Sequence, residues 1–156
     1  MIKELESKDR GGVLQVIKEV DLFNAGELEY MTGLVDAYIA GSSEEGHYWI
    51  VAYTNDTLIG VAYYAPENFA QEVYNLYFLG IKPQNQGQGT GTKMIKYIES
   101  ELKEAEQRIL LVETSGLPEF ENTRNFYLKQ GFVREGVIRE YYKAGDDKVI
   151  FWKKLI

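Results

Sequence analysis

Leu79-Gly80-Ile81-Lys82-Pro83-Gln84-Asn85-Gln86-Gly87-Gln88-Gly89-Thr90-Gly91-Thr92-Lys93-Met94-Ile95 is the stretch on which the reading of this sequence turns. It leaves a β-rich segment, passes a proline and three alternating glycines, and enters a helical pattern. Gly87, Gly89 and Gly91 lack Cβ atoms, so the backbone there can turn sharply and come close to a ligand. N–H groups at a helix N-terminus point outward, and the helix dipole favours an anion beside them. Lys82, Lys93 and Lys96 add local positive charge. The segment therefore reads as a cradle for phosphate or pyrophosphate. Two common cradles are excluded. The dinucleotide fingerprint needs its third glycine at 92 or 94, where Thr92 and Met94 stand, and the Lys-Ser/Thr ending of a Walker loop is absent.

Working outward, Val73 to Ile81 is a strand before the loop, and a helix from about Gly89 to Glu106 follows it, with Met94, Ile95, Ile98, Leu102 and Ala105 on one face. Ile109 to Thr114 reads as a buried strand, and residues 121–130 as a short helix ended by Gly131. Two last strands, about 132–143 and 148–155, flank a turn at Gly145-Asp146-Asp147. Toward the N-terminus, residues 2–6 form a first strand. Helices follow on the spacings Val13, Val16, Ile17, Val20 and Met31, Leu34, Val35, Tyr38, the second stopped by Gly41. Tyr48 to Thr54 and Leu58 to Ala65 make a hairpin across Asn55-Asp56. The order β-α-α-β-β-β-α-β-α-β-β predicts an α/β (α+β) chain with one central sheet and helices on both faces.

Composition narrows the chemistry. The 156 residues match one domain at ~150 residues per domain, and residues 1–156 are read as one unit. No cysteine is present, which excludes disulfides, thiolate zinc and a catalytic thiol; a lone histidine, His47, excludes a multi-histidine metal centre. No metal is expected. His47 is read as a surface residue. A net charge of −7 and a pI near 4.8 disfavour nucleic acid and anionic membrane as partners; the acidity reads first as keeping the chain in solution, with a cationic small molecule or basic peptide as the other reading. Apolar runs fall short of the ~20 residues of a membrane span, and the first residues lack a signal-peptide pattern. A cytoplasmic protein is the expectation.

The spacing Gln86-x-x-Gly89-x-Gly91 resembles the acetyl-coenzyme A loop of the GCN5-related N-acetyltransferases (GNAT). A second signature of that family, an Asn followed by a helix with an aromatic-Tyr pair and then Gly-Phe, is matched by Asn122-Thr123-Arg124-Asn125-Phe126-Tyr127-Leu128-Lys129-Gln130-Gly131-Phe132. The two lie 31 residues apart, from Gly91 to Asn122, with a helix and a strand between them. The resemblance covers nearly the whole chain. It implies a single mixed, mostly antiparallel sheet of about seven strands with the fourth and fifth splayed apart.

By that resemblance, acetyl-CoA is the cosubstrate. Leu79, Gly80 and Ile81 at the end of the fourth strand would meet the pantetheine arm, and Gln86, Gly87, Gln88, Gly89, Thr90, Gly91 and Thr92 would wrap the pyrophosphate. Gln86 stands where many members have arginine. Asn122 would lie near the arm and Tyr127 near the thioester sulfur, as the general acid for the departing thiolate, with a core aromatic packed beside Phe126 as the competing reading of Tyr127. A fourth-strand N–H, that of Leu79 or Gly80, would hold the oxyanion. The reaction implied is direct attack of a primary amine through a tetrahedral intermediate.

For the base the sequence departs from members with a fourth-strand glutamate, since Val73-Tyr74-Asn75-Leu76-Tyr77-Phe78 has no carboxylate. Glu113, at the end of the fifth strand, is the remaining candidate, with a solvated strand-end charge as the competing reading. Asp146-Asp147 is read as a turn. Of the tyrosines at 53, 63, 64, 74, 77, 141 and 142, half at most would face an acceptor. The acceptor is a small-molecule or peptide amine, a homodimer is possible, and a CoA-binding sensor without turnover is the alternative.

Overall fold

The computed structural model describes all residues, 1–156. Its strands are β1 (Ile2–Glu4), β2 (Tyr48–Thr54), β3 (Thr57–Pro66), β4 (Val73–Ile81), β5 (Ile109–Ser115), β6 (Val133–Lys143) and β7 (Asp146–Lys154). The helices are α1 (Arg10–Glu19), α2 (Ala25–Ile39), α3 (Thr90–Glu104) and α4 (Glu121–Lys129). The seven strands form one sheet in the order β1-β2-β3-β4-β5-β7-β6. The pair β4–β5 is parallel, while β1–β2, β2–β3, β5–β7 and β6–β7 are antiparallel. This is the single mixed, mostly antiparallel sheet of seven strands that the sequence predicts.

Local chemistry accounts for the breaks. Asn55 and Asp56 both take a left-handed φ, 47° and 65°, the geometry of a type I′ hairpin that suits the twist of β2 and β3. Asn24 caps α2 by accepting from the Glu27 N–H at 2.8 Å, and Glu27 returns a bond to the Asn24 N–H. The β4–β5 ladder runs only from Val73↔Ile109 to Leu76↔Val112, although β4 continues to Ile81.

The chain packs as two compact units, one of residues 1–65 and 78–97, the other of residues 66–77 and 98–156. In the first, α1 and α2 contribute Val13, Val16, Ile17, Met31 and Val35 to a core with Trp49, Val51, Val61 and Phe78. A Cβ on Gly60 of β3 would sit 2.9 Å from Ile81 Cδ1 and 3.0 Å from Met94 Sδ. That glycine is what lets β3 and α3 close up.

In the second unit, α4 packs Tyr127 on Phe151, centroids 5.9 Å apart, and Phe151 pairs with Val112. The other face of the same ladder, Leu111, Glu113, Ile150 and Trp152, is half-buried. Asn75 pairs with Leu111 and so belongs to that second face. β6 is an edge strand exposed along nearly its whole length.

Three expectations are corrected. β1 ends at Glu4 rather than at residue 6, because the capping box of Glu6 and Asp9 turns the chain there. α3 ends at Glu104, so Ala105 is exposed rather than on the buried face; Glu106 takes a left-handed φ of 61° as the chain turns toward β5. The last hairpin turns at Ala144-Gly145, with Gly145 at φ 80°, and Asp146 is a buried residue of β7 rather than a turn charge.

Candidate functional site

The glycine loop is built from backbone. Gly87 and Gly89 stand at φ 76° and 84°, in the left-handed region where a side chain is strained. Space is not the constraint, since a Cβ at either would meet nothing within 4 Å. Gly89 accepts the Lys93 N–H at 3.1 Å and so opens α3, which leaves Thr90 and Gly91 in the first turn, where N–H groups have no intrahelical acceptor. Residues 86–89 are exposed. An exposed glycine turn leading into the free N–H groups of a 15-residue helix fits a diphosphate.

The flanking side chains hold the loop rather than extend it. Gln86 Nε2 donates to the Ile81 carbonyl at 3.0 Å, which ties the turn to the end of β4. The Lys82 N–H donates to Ile59 O, and its ammonium lies 3.7 Å from Glu19, so its charge is partly taken. Lys93 and Lys96 remain exposed on α3. Gly80 is demanded by packing, because a Cβ there would lie 2.5 Å from the Phe78 ring and 3.1 Å from Val20. Leu79 and Ile81 are half-buried.

In the second unit, α4 carries Asn122, exposed in its first turn, and Tyr127, buried at 5% exposure. The Tyr127 ring sits among Phe126, Phe132 and Phe151, with centroids at 5.2, 5.7 and 5.9 Å. Burial pushes its phenol well above the usual range, so the hydroxyl keeps its proton at neutral pH. Both ends of α4 are pinned. Arg124 Nη1 donates to the carbonyls of Ser115 and Leu117 at 2.7 and 2.8 Å. Lys153 donates to Gln130 O at 2.6 Å and pairs with Glu99 at 2.8 Å, placing a cation at the helix C-terminus.

Glu113 faces the half-open side of β5, and its carboxylate lies 3.3 Å from Lys148 Nζ. Lys148 is nearly buried and also stands 4.0 Å above the Tyr141 ring. Partial desolvation of its hydroxyl and the Glu113 carboxylate push the neighbouring Tyr142 phenol up to about 12. Ser115 donates to buried Asp146, and the Leu117 N–H donates back to Ser115 Oγ. That chain of bonds ties the end of β5 to the last hairpin.

The strand β4 has no carboxylate of its own, but the fold brings one to it. Glu67, just past β3, accepts from Asn75 Nδ2 at 2.7 Å and, more weakly, from the Tyr77 hydroxyl at 3.4 Å. Sequence reasoning missed this pair; a polar Asn inside an otherwise apolar and aromatic strand was the available signal. His47 is half-buried rather than a surface residue, with Nδ1 2.7 Å from the Tyr63 hydroxyl. Tyr63 stacks on Trp49 and Tyr53 donates to Asp9, so neither is an exposed aromatic wall. Tyr77, Tyr141 and Tyr142 are exposed.

Comparison with known proteins agrees with this fold. The family model described as acetyltransferase (GNAT) domain matches residues 44–134. Among solved structures, a putative acetyltransferase of the GNAT family from Desulfovibrio desulfuricans aligns at TM-score 0.93 and 27% identity, over 100% of this chain and 99% of that one. The ribosomal-protein-S18-alanine N-acetyltransferase of Escherichia coli aligns at TM-score 0.78 and 18% identity, over 99% of this chain and 93% of that one. An aminoglycoside 6'-N-acetyltransferase complexed with coenzyme A aligns at 0.75 and 16%, over 100% and 97%. At the identities of the last two, the likeness is one of fold. No curated protein matches the chain significantly.

Proposed function

The chain belongs to the GNAT acetyltransferase family, and from that premise we propose that it transfers the acetyl group of acetyl-CoA directly to a primary amine. The observation that carries the reading is the pair of left-handed glycines, Gly87 and Gly89, at the N-terminus of α3. They aim backbone donors outward with no side chain in the way, as a pyrophosphate requires. In this proposal residues 86–92 hold the diphosphate, and Leu79, Gly80 and Ile81 offer the end of β4 to the pantetheine arm. The N–H of Leu79 or Gly80 serves the oxyanion. Acetyl-CoA supplies an activated thioester.

Tyr127 Oη gives its proton to the departing sulfur, from a ring that Phe126, Phe132 and Phe151 hold in place. Asn122 steadies the arm from the first turn of α4. Glu113 takes the proton released by the amine, with Lys148 fixing its orientation at 3.3 Å. The acceptor is a small-molecule or peptide amine, in keeping with the net charge of −7 and with two fold neighbours whose names denote transfer to nitrogen.

One observation favours the reading of a CoA-binding sensor without turnover: the candidate base is already ion-paired. Calorimetric titration with acetyl-CoA, with ATP and NAD as controls, tests the cofactor. Amine-dependent thiol release then separates enzyme from sensor. Micromolar binding of acetyl-CoA alone, followed by thiol release above hydrolysis with at least one primary amine, is the expected result. Equal binding of ATP or NAD would overturn the cofactor assignment.

A further inference from the structure

We propose that Glu67, held by Asn75, is the anion that receives a primary ammonium group on the half-open face of the second unit. The inference rests on the amine-acceptor reading above and names the residues that would recognise that amine. Glu67 begins the segment between β3 and β4, whose ends are closed by the Glu67 N–H donating to Val73 O at 2.8 Å. This loop folds Glu67 back over Asn75. One carboxylate oxygen, Oε1, takes both protein donors, Asn75 Nδ2 and the Tyr77 hydroxyl, while Oε2 takes none.

Glu67 differs from three other glutamates of the second unit. Glu72, Glu99 and Glu113 each lie within ion-pair distance of a cation: Arg108, Lys153 and Lys148. Glu67 is half-buried and has no cation of the chain in that range. A partly desolvated carboxylate with one oxygen still unbonded is suited to an ammonium, whose three N–H donors fit a carboxylate acceptor.

Asn75 supplies the second observation. It is 1% exposed, and its Oδ1 is buried without a protein donor. A buried acceptor left unpaired costs free energy that an apolar residue at this strand position would avoid. What the amide does achieve is to fix the rotamer of Glu67. Cost at one residue and fixed geometry at the next is the pattern of a recognition site rather than of a stabilising core.

The ligand class follows from what surrounds the carboxylate. No group of three or more His, Asp or Glu side chains is placed to hold a metal ion. Tyr77, whose hydroxyl donates to Glu67, is 49% exposed. Aromatic surface beside a single carboxylate fits an organic ammonium.

The test is a titration of the full-length protein followed by NMR at the Asn75 side-chain amide, at constant ionic strength. The probes are n-butylammonium for an alkylamine or lysine side chain, alaninamide for a peptide N-terminus, and n-butanol as the neutral control. One ammonium probe should move the Asn75 amide saturably while butanol does not, and the tighter of the two identifies the source. Glu67→Gln should weaken that binding at least tenfold, and Glu67→Asp, which keeps the charge on a shorter stem, less. Saturation of neither probe, or equal affinity in wild type and Glu67→Gln with both spectra folded, would overturn the proposal. Acetyl-CoA affinity measured on the same samples keeps the readings apart. Its absence counts against the acetyl-transfer mechanism, whereas intact acetyl-CoA binding without ammonium binding counts against Glu67 alone.

Discussion

In the loop at residues 86–92 the groups proposed to bind the diphosphate are backbone N–H groups, set by the φ angles of Gly87 and Gly89 and by the start of α3. Around α4 the positioning groups are side chains that reach across the chain. Arg124 bridges 9 and 7 residues to Ser115 and Leu117, and Lys153 bridges 23 and 54 to Gln130 and Glu99. The first construction depends on local conformation, because a glycine at positive φ needs no distant partner to define it. The second depends on the whole second unit having folded, and each of its hydrogen bonds is also part of the stability of that unit. Damage to the loop should therefore cost binding with little stability, and damage around α4 should cost both unless it is confined to one atom.

The largest effect expected is from such a one-atom change. Tyr127→Phe removes the hydroxyl and keeps the ring among Phe126, Phe132 and Phe151, so thiol-release turnover should fall by about 10²–10⁴-fold. Acetyl-CoA affinity should hold; turnover at the wild-type rate would take Tyr127 out of the mechanism. Next comes Arg124→Ala, which leaves two carbonyls without a charged donor. Urea unfolding should report a loss of about 2–3 kcal/mol, and the loss should be smaller for Lys than for Ala.

Gly89→Val sharpens the contrast from the other side. A β-branched residue at φ 84° is strained by roughly 1–2 kcal/mol and shifts the N–H groups it carries. Acetyl-CoA affinity should drop at least tenfold in calorimetry while the fold remains. Normal affinity in a folded variant would show that the loop is not the phosphate cradle.

The smallest effect is confined to acid. Asp9, in the first unit, is buried, which alone would raise its carboxyl; hydrogen bonds from Lys3, Tyr53 and the Glu6 N–H outweigh that and hold it below the usual range. Its stabilisation is present above the ordinary carboxylate value of about 3.9 and is lost as pH falls through the lower folded value. The stability gap between wild type and Asp9→Asn should be constant from neutral pH to about 4 and narrow below it. A gap that already narrows near pH 6 would contradict that balance.

The difference between the two constructions also explains what could be read in advance. Element order followed from apolar periodicity, and the β2–β3 turn from Asn55-Asp56, because both are local. The glycine loop was legible for the same reason. Asp146 was not. A Gly-Asp-Asp run is an ordinary turn signal, and only the β5–β7 register, which sets Ser115 against Lys148, brings Ser115 to Asp146 and buries it. Ala105 was misplaced because periodicity continues past the point where Glu106 leaves the helix.

By itself, then, the sequence determined the order of strands and helices, the place of the glycine loop and the family to which the chain belongs. Those properties reside in short-range backbone preference and spacing. The tertiary structure alone decided which charges meet: Glu113 with Lys148, Arg124 with the end of β5, and Glu67 with Asn75. The physical reason is that a carboxylate has no preference for a partner along the chain. Its surroundings are chosen by strand register and loop closure, which bring together residues that the sequence keeps apart.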